Sequence, residues 1–369
     1  MRIPYYRIGN EYLRVKKKFS KKFDGIFKSG NFISGEHNIA FEKKISKLLN
    51  VKYVSGLANG TDALEIAMLA AGIQKGDEVI TATNSWASSI NSIINVGAKP
   101  ILVDVKDDFN IDCDQIERAI TKKTKAIMPV HLNGLIADMD KIKKIANHHK
   151  VKIIEDSAQA ILSKINKKFA GSLGDIGCFS MHPTKTLGAG GDGGFVVTNN
   201  KNYFEKIKLL KNHGMNEKGE SILAGRNSRL DEVQAAFILN QLEFLKKDVE
   251  KRRFFANVYK NKLSSEIKTP NATLHKKYFH TYHRYVIQLR NGKERDGLKK
   301  YLQNNNIETK IHYKKPLHKY QCFKKYSFLK KLPNSENHSN LILSLPCNHF
   351  MKYQEVQYII KKINQFIKK

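Results

Sequence analysis

The sequence predicts an α/β protein, a mainly parallel sheet covered by helices and followed by a smaller second unit. Two observations carry this. Along residues 41–198, short apolar runs of strand length alternate with segments whose apolar residues recur every three or four positions, the pattern of parallel strands joined by crossover helices. A chain of 369 residues, 41% of them apolar, also exceeds one core, because a single hydrophobic core stops growing near about 250 to 300 residues.

The elements follow in order. Phe41, Ile45, Leu48 and Leu49 have helical spacing, and residues 51–55 follow as a short apolar strand. Leu64, Ala67, Met68 and Ala71 again share one helical face, and Gly72 stands where that helix ends. Strand-like runs come next at 78–82, 100–103, 126–130 and 152–155, separated by amphipathic segments at 84–96, 112–120 and 137–148. Beyond Lys185, a strand over 194–198 precedes charge-rich helices over 203–212 and 231–251. Residues 282–289 alternate as a strand, and 352–367 form a closing amphipathic helix. Lys, His and Tyr become denser past residue 250, which sets a boundary near Val249, inside or just after a long helix. The expected organisation is an N-terminal arm over 1–33, a large domain over 34–249 and a small C-terminal domain over 250–369.

The composition excludes several classes. The apolar content and the lack of low-complexity tracts exclude a disordered or fibrous chain. Neither a signal-like apolar run near the basic N-terminus nor any long apolar stretch is present, so the chain is expected in the cytoplasm, without membrane contact. Cys113, Cys178, Cys322 and Cys347 are widely spaced, which speaks for packed thiols in a reducing compartment and against zinc or disulfides. The net charge of +31 raises nucleic-acid binding. Its make-up argues against it: 54 lysines against 11 arginines, with 25 of the lysines before residue 186 and 29 after, is a scattered solvated charge rather than a recognition stripe. Such a field would still steer an anionic small substrate.

In an open α/β sheet, ligands sit beyond the carboxyl ends of the strands, and three segments there carry reactive groups. Residues 58–64, Ala-Asn-Gly-Thr-Asp-Ala-Leu, open a helix: Gly60 lets a ligand approach the backbone and Thr61 adds a hydroxyl, which suits a phosphate as well as an ordinary N-cap turn. Glu155-Asp156 end a strand, where a carboxylate is either solvated or holds a cationic ring nitrogen. Residues 177–194 run from a strand through a turn fixed by Pro183, present Lys185, and pass into a glycine-rich bend. A lysine on a rigid turn suits Schiff-base chemistry, and burial would free its amine.

Taken in order, Asn59-Gly60-Thr61-Asp62-Ala63-Leu64, Gly76-Asp77-Glu78, Pro129-Val130-His131-Leu132, Glu155-Asp156-Ser157-Ala158-Gln159, Ser180-Met181-His182-Pro183-Thr184-Lys185, Gly191-Asp192-Gly193-Gly194 and Asn227-Ser228-Arg229-Leu230-Asp231 resemble the DegT family. These are pyridoxal-phosphate-dependent nucleotide-sugar aminotransferases. The similarity spans nearly the whole chain. It implies a fold-type I structure of the aspartate aminotransferase kind: a large domain with a mainly parallel seven-stranded sheet between helices, plus a smaller C-terminal α+β domain.

The resemblance also implies roles. Lys185 would bind pyridoxal 5'-phosphate as a Schiff base and later shuttle a proton, and Asp156 would pair with the ring nitrogen. Gln159 would face the phenolic oxygen, Trp86 would stack on the ring, and Gly60, Thr61 and Ser180 would hold the phosphate. Asn227 would reach that phosphate from a second subunit, making a homodimer with shared active sites. His312 and Tyr313 would border the sugar pocket, and His318 would either do the same or lie in a solvated loop. Arg229 would contact an anionic substrate or pair with Asp231. His131 is expected to be packed or near substrate rather than a metal ligand, and no metal is expected. Met181 stands where the family more often has an aromatic residue. A deoxygenating branch of the family has His at the position of Lys185, so lysine favours transamination. The expected reaction passes the amino group of L-glutamate to C3 or C4 of a nucleotide-linked keto-deoxysugar, toward an amino sugar of surface polysaccharide or glycan. The alternatives are a dehydratase using the same cofactor and a basic regulatory protein that keeps the fold without turnover.

Overall fold

A computed structural model describes residues 2–270 and 277–368. The chain begins with α1 (Ile8–Ser29) and α2 (Glu36–Leu49), then alternates through β1 (Tyr53–Leu57), α3 (Gly60–Ala70), β2 (Glu78–Ala82), α4 (Ala87–Asn95), β3 (Lys99–Val103), α5 (Cys113–Ala119), β4 (Thr124–Met128), α6 (Met139–His149) and β5 (Lys152–Asp156). A small hairpin of β6 (Lys164–Ile165) and β7 (Lys168–Phe169) leads to β8 (Ile176–Ser180), β9 (Gly194–Thr198), α7 (Lys201–Leu210), α8 (Glu232–Gln241) and α9 (Leu245–Lys262). The chain ends through β10 (Tyr278–Phe279), β11 (Tyr285–Gln288), α10 (Gly292–Asn304), α11 (Pro333–Leu341), β12 (Ile342–Leu345) and α12 (Tyr353–Ile367).

Seven strands form one sheet in the order β1-β9-β8-β5-β4-β2-β3, in which only β9 runs against the rest. Alternate residues feed opposite faces. Ile80, Ile127 and Ile153 pack with Ile116 of α5 and Ile142 of α6, whereas Val79, Ala126 and Ile154 pack with Ile66 and Ala67 of α3. The strands are therefore apolar on both faces along most of their length, as a sheet covered on both faces requires. A separate core joins Phe255 and Tyr259 of α9 with Tyr285, Leu298, Leu343 and Ile363, and it includes Ile3.

The structure corrects several expectations. The helix expected over 231–251 is two helices, broken at residues 242–244 with no glycine or proline. Arg14 of α1 clasps the break: its guanidinium lies over the Phe244 ring, donates to Gln241 Oε1 at 2.8 Å and pairs with Asp248 at 2.8 Å. Val249, placed near a boundary inside or just after a long helix, lies within α9 and packs in the core of the sheet, while Phe255, two turns on, belongs to the second core. Residues 8–29, expected only as an arm, form the 22-residue α1. The strand expected at 126–130 is displaced to 124–128 because Pro129 has no N–H to give the ladder. Cys113, Cys178 and Cys347 are buried, but Cys322 is exposed.

Candidate active site

The carboxyl ends of β5 and β8 lie side by side, Asp156 opposite Cys178, and face the start of α3 across an open cleft of about 940 Å³. At the first turn of α3 the Asn59 side chain takes the amide of Asp62 at 2.9 Å and its carbonyl takes that of Ala63. Among the amides that a helix start leaves without a helical partner, those of Gly60 and Thr61 are available to a ligand. Gly60 is required here: a Cβ would stand 2.6 Å from Ser180 Cβ, so only glycine lets the helix start close against the end of β8. Thr61 Oγ1 is hydrogen-bonded to Ser88 Oγ, adding hydroxyls to the same corner.

The two carboxylates ending β5 have opposite environments, since adjacent strand residues point to opposite faces. Glu155 is fully buried and accepts from the amides of Gly171 at 2.8 Å and Leu173 at 2.7 Å and from His131 Nε2 at 2.8 Å. His131 Nδ1 accepts from the Ala137 amide, which leaves the imidazole proton on Nε2. His131 is thus packed, and Glu155 ties β5 to the loop before β8. Asp156 faces the cleft, where Ser89 Oγ donates to one oxygen at 2.9 Å and the Ala158 amide to the other at 3.2 Å. Neither carboxylate is simply solvated.

Lys185 rises from a turn closed by its amide on the His182 carbonyl at 2.8 Å and braced by Met181, which is fully buried and bonds Gly193 and Ala189 through its backbone. Burial, reinforced by the Arg284 guanidinium and opposed by Asp156, brings the Lys185 amine down from 10.5 to about 8. The opposite wall comes from the C-terminal part of the chain and from Tyr6. There Arg284 Nη1 donates to the Tyr313 hydroxyl at 3.0 Å, and Gln159 Nε2 reaches that hydroxyl at 3.3 Å. His312 Nδ1 lies 3.0 Å from Ser344 Oγ, and burial, with the charges of Arg284, Lys310 and Lys185, brings the imidazole down to about 2.

Comparison with known proteins places this geometry in a family. The model of the DegT/DnrJ/EryC1/StrS aminotransferase family matches residues 14–364. The chain belongs to that family. It is 38% identical to a dTDP-3-amino-3,6-dideoxy-alpha-D-galactopyranose transaminase of Aneurinibacillus thermoaerophilus, over 99% of each chain. It is 37% identical, again over 99% of each, to a pleiotropic regulatory protein of Geobacillus stearothermophilus. Among solved structures, NtdA of Bacillus subtilis with bound cofactor PMP superposes with a TM-score of 0.92 at 30% identity, covering all of this chain and 86% of that one.

Within this family member, Gly60, Thr61, Trp86, Asp156, Gln159, Ser180, Lys185, His312 and Tyr313 all line the one cleft. Trp86 precedes α4 and is 62% exposed, with its ring 5.9 Å from that of Tyr313. Asn227 and Arg229 lie elsewhere. Asn227 is exposed, and Arg229 Nε donates to its Oδ1 at 2.9 Å; Arg229 also reaches Asn212, so it is spent there and not on Asp231. His318 is neither at the cleft nor in a solvated loop: it is buried between Thr83 Oγ1 at 2.7 Å and Glu336 at 3.1 Å. Sequence reasoning missed Arg284, Tyr6, Ser89 and Arg226, the last held in the cleft by Glu65 and Asp62. The alternation over 282–289 carried a signal for Arg284, since it puts this charge on the same face as the buried Val286.

Proposed function

We propose that this chain is a pyridoxal-phosphate-dependent aminotransferase that moves the amino group of L-glutamate to C3 or C4 of a nucleotide-linked keto-deoxysugar, supplying an amino sugar for surface polysaccharide or glycan. The observation that carries this reading is the meeting, in one cleft, of a lysine amine, a carboxylate with both oxygens oriented, and a helix start closed against Ser180 by a glycine. A cofactor with an aldehyde, a basic ring nitrogen and a phosphate needs those three groups. The transaminase from Aneurinibacillus and the PMP held by NtdA support the same assignment.

When bound, the cofactor supplies an electron sink for the carbon whose proton is removed. The residues of this chain do the rest. The Gly60 and Thr61 amides and the Ser180 hydroxyl would hold the phosphate. Asp156, steadied by Ser89 and Ala158, would keep the proton on the ring nitrogen, Gln159 would face the phenolic oxygen and Trp86 would cover the ring. The Lys185 amine would be the point of covalent attachment and, when free, would carry the proton to and from the substrate carbon.

Asn227, exposed and off its own chain's cleft, fits a homodimer in which it serves the partner's phosphate. Exposed apolar residues on α1, among them Leu13 and Phe27, support such an interface. Mixing inactive Lys185→Ala and Asn227→Ala chains tests this: shared sites restore about a quarter of the activity through hybrid dimers, and separate sites restore none. The site of action is the cytoplasm, in keeping with four free cysteines; among the described residues no helix is long and apolar enough to cross a membrane.

The deciding experiment is the absorption spectrum of the protein with pyridoxal phosphate, before and after L-glutamate. The visible band of the lysine-linked cofactor should fall as the near-ultraviolet band of its amine form rises, and a keto-sugar should restore the first. A visible band indifferent to glutamate overturns the donor and moves the reading toward dehydration. No visible band overturns the enzyme.

A further inference from the structure

The start of α4 brings a cluster of serines to the cleft. Trp86 precedes the helix with extended backbone, and Ser85, Ser88 and Ser89 beside it all line the cleft. Successive positions on a helix lie about 100° apart, so Ser88 and Ser89 serve different corners. Ser88 Oγ is hydrogen-bonded to Thr61 Oγ1 at the start of α3. Ser89 Oγ, buried, donates to Asp156 Oδ2 at 2.9 Å, and Ser85 Oγ, also buried, lies 2.8 Å from Ser89 Oγ. Each corner therefore holds a pair of hydroxyls in contact.

A hydroxyl has one proton to give and two lone pairs to receive. The ionised carboxylate of Asp156 only accepts, which spends the Ser89 proton and leaves the Ser85 proton to answer the Ser89 oxygen. The Thr61 pair repeats that arrangement with its far end open. A phosphate, an acceptor as well, would take the Thr61 proton, and the Ser88 proton would then fall to the Thr61 oxygen. The donor behind polarises the hydroxyl in front and strengthens the bond it gives. Arg226, beside the same helix turn, is committed to Glu65 and Asp62, so the direction of neutral donors matters at this corner. We infer that Ser88 is a positioning residue for the cofactor phosphate, turning the Thr61 hydroxyl outward as Ser85 turns that of Ser89 toward Asp156. The inference rests on the placement of that phosphate at the start of α3 and adds to it a residue that acts through Thr61.

The test titrates the cofactor-free protein with pyridoxal phosphate and with pyridoxal, following the visible band that each forms with Lys185. Pyridoxal offers the same aldehyde and ring without the phosphate. Ser88→Ala should raise the dissociation constant of pyridoxal phosphate about three- to tenfold, the weight of one neutral hydrogen bond, and leave that of pyridoxal within about twofold. The unchanged pyridoxal value certifies that the variant is folded. Ser88→Thr keeps the hydroxyl and should restore the affinity. In a Thr61→Val background Ser88→Ala should cost nothing further, because its effect passes through the Thr61 oxygen. Ser89→Ala supplies the contrast: it should weaken both ligands alike and leave the preference for the phosphate intact. An unchanged preference in Ser88→Ala overturns the inference, as does an equal loss for both ligands, a loss that threonine fails to repair, or a full loss in the Thr61→Val background. That last outcome would make Ser88 a direct phosphate ligand. If the unmodified protein holds pyridoxal phosphate no more tightly than pyridoxal, the placement of the phosphate at α3 has itself failed.

Discussion

The two walls of the cleft are built differently. On the sheet side, Asp156, Ser180 and Lys185 hang from backbone ladders: the Asp156 amide bonds the Pro129 carbonyl, Met181 bonds Gly193, and Ala189 returns to Met181. On the other side Arg284, Tyr313 and His312 are held by side chains, Arg284 to Tyr313, Tyr313 to Gln159, His312 to Ser344. A ladder fixes atoms regardless of most side chains, whereas a side-chain chain changes with each member. On the proposed reading, the comparison teaches where chemistry and choice would be housed: cofactor groups on the wall that cannot shift, substrate groups on the wall that can be re-equipped.

The largest effect belongs to the ladder wall. Lys185→Ala should still bind cofactor without the covalent link, yet lose at least about three orders of magnitude in turnover, since both the attachment and the acid-base group are gone. Near-normal transamination in a steady-state assay would break the division of labour. The neighbouring carboxylates sharpen it. Asp156→Asn should reduce the rate about a hundredfold or more while leaving thermal stability nearly unchanged. Glu155→Gln should do the reverse, costing about 3 kcal/mol of stability because the amides of Gly171 and Leu173 and His131 lose their anionic acceptor in the core. Paired rate and melting measurements that show the same pattern for both variants would refute the split.

The pH dependence joins the walls. Loading of cofactor onto Lys185 needs the neutral amine, and burial and Arg284 bring that amine to about 8. The loading rate of the cofactor-free protein should therefore rise with pH, reach half its plateau near pH 8, and fall about tenfold per unit below that. Arg284→Met removes a charge that disfavours the protonated amine, so the midpoint should move to higher pH. A midpoint unmoved by the substitution would separate Arg284 from Lys185. The smallest effect is at the mouth. Trp86, the single tryptophan and 62% exposed, should lose emission when cofactor binds, and Trp86→Phe should change turnover by no more than about threefold, because phenylalanine still offers a ring face.

What was legible in the sequence follows the same division. The sheet strands could be read because a strand buried on both faces must be apolar on both along most of its length, and Lys185, Asp156 and Gly60 could be read because turns beyond strand ends need particular residues. Even there, position alone could not tell Glu155 from Asp156; the pleat of β5 decides which faces the cleft. The missed features depend on distant contacts. The break between α8 and α9 is clasped by Arg14, more than two hundred residues away, and has no glycine or proline to mark it. The helix α1 is the exception, a signal that was passed over: Tyr12, Val15, Phe19, Phe23 and Ile26 repeat at helical spacing among the lysines. Arg284 had only the alternation over 282–289 to mark it, and the wall it joins is assembled from residues distant in the chain.

The placement of Ile3 in the second core, with its amide on the Asn306 carbonyl and the Tyr5 amide on Glu308, 303 residues away, has a consequence for synthesis. A ribosome adding about 5 to 20 residues per second needs roughly 15 to 60 s to make that intervening chain. For that interval the residues around Ile3 have no docking surface, and neither does the aromatic face of α1 until α8 emerges. Lys16, Lys17, Lys18, Lys21 and Lys22 interleave with Phe19 and Phe23 along this waiting segment, and like charge of this kind opposes the self-association of exposed apolar surface.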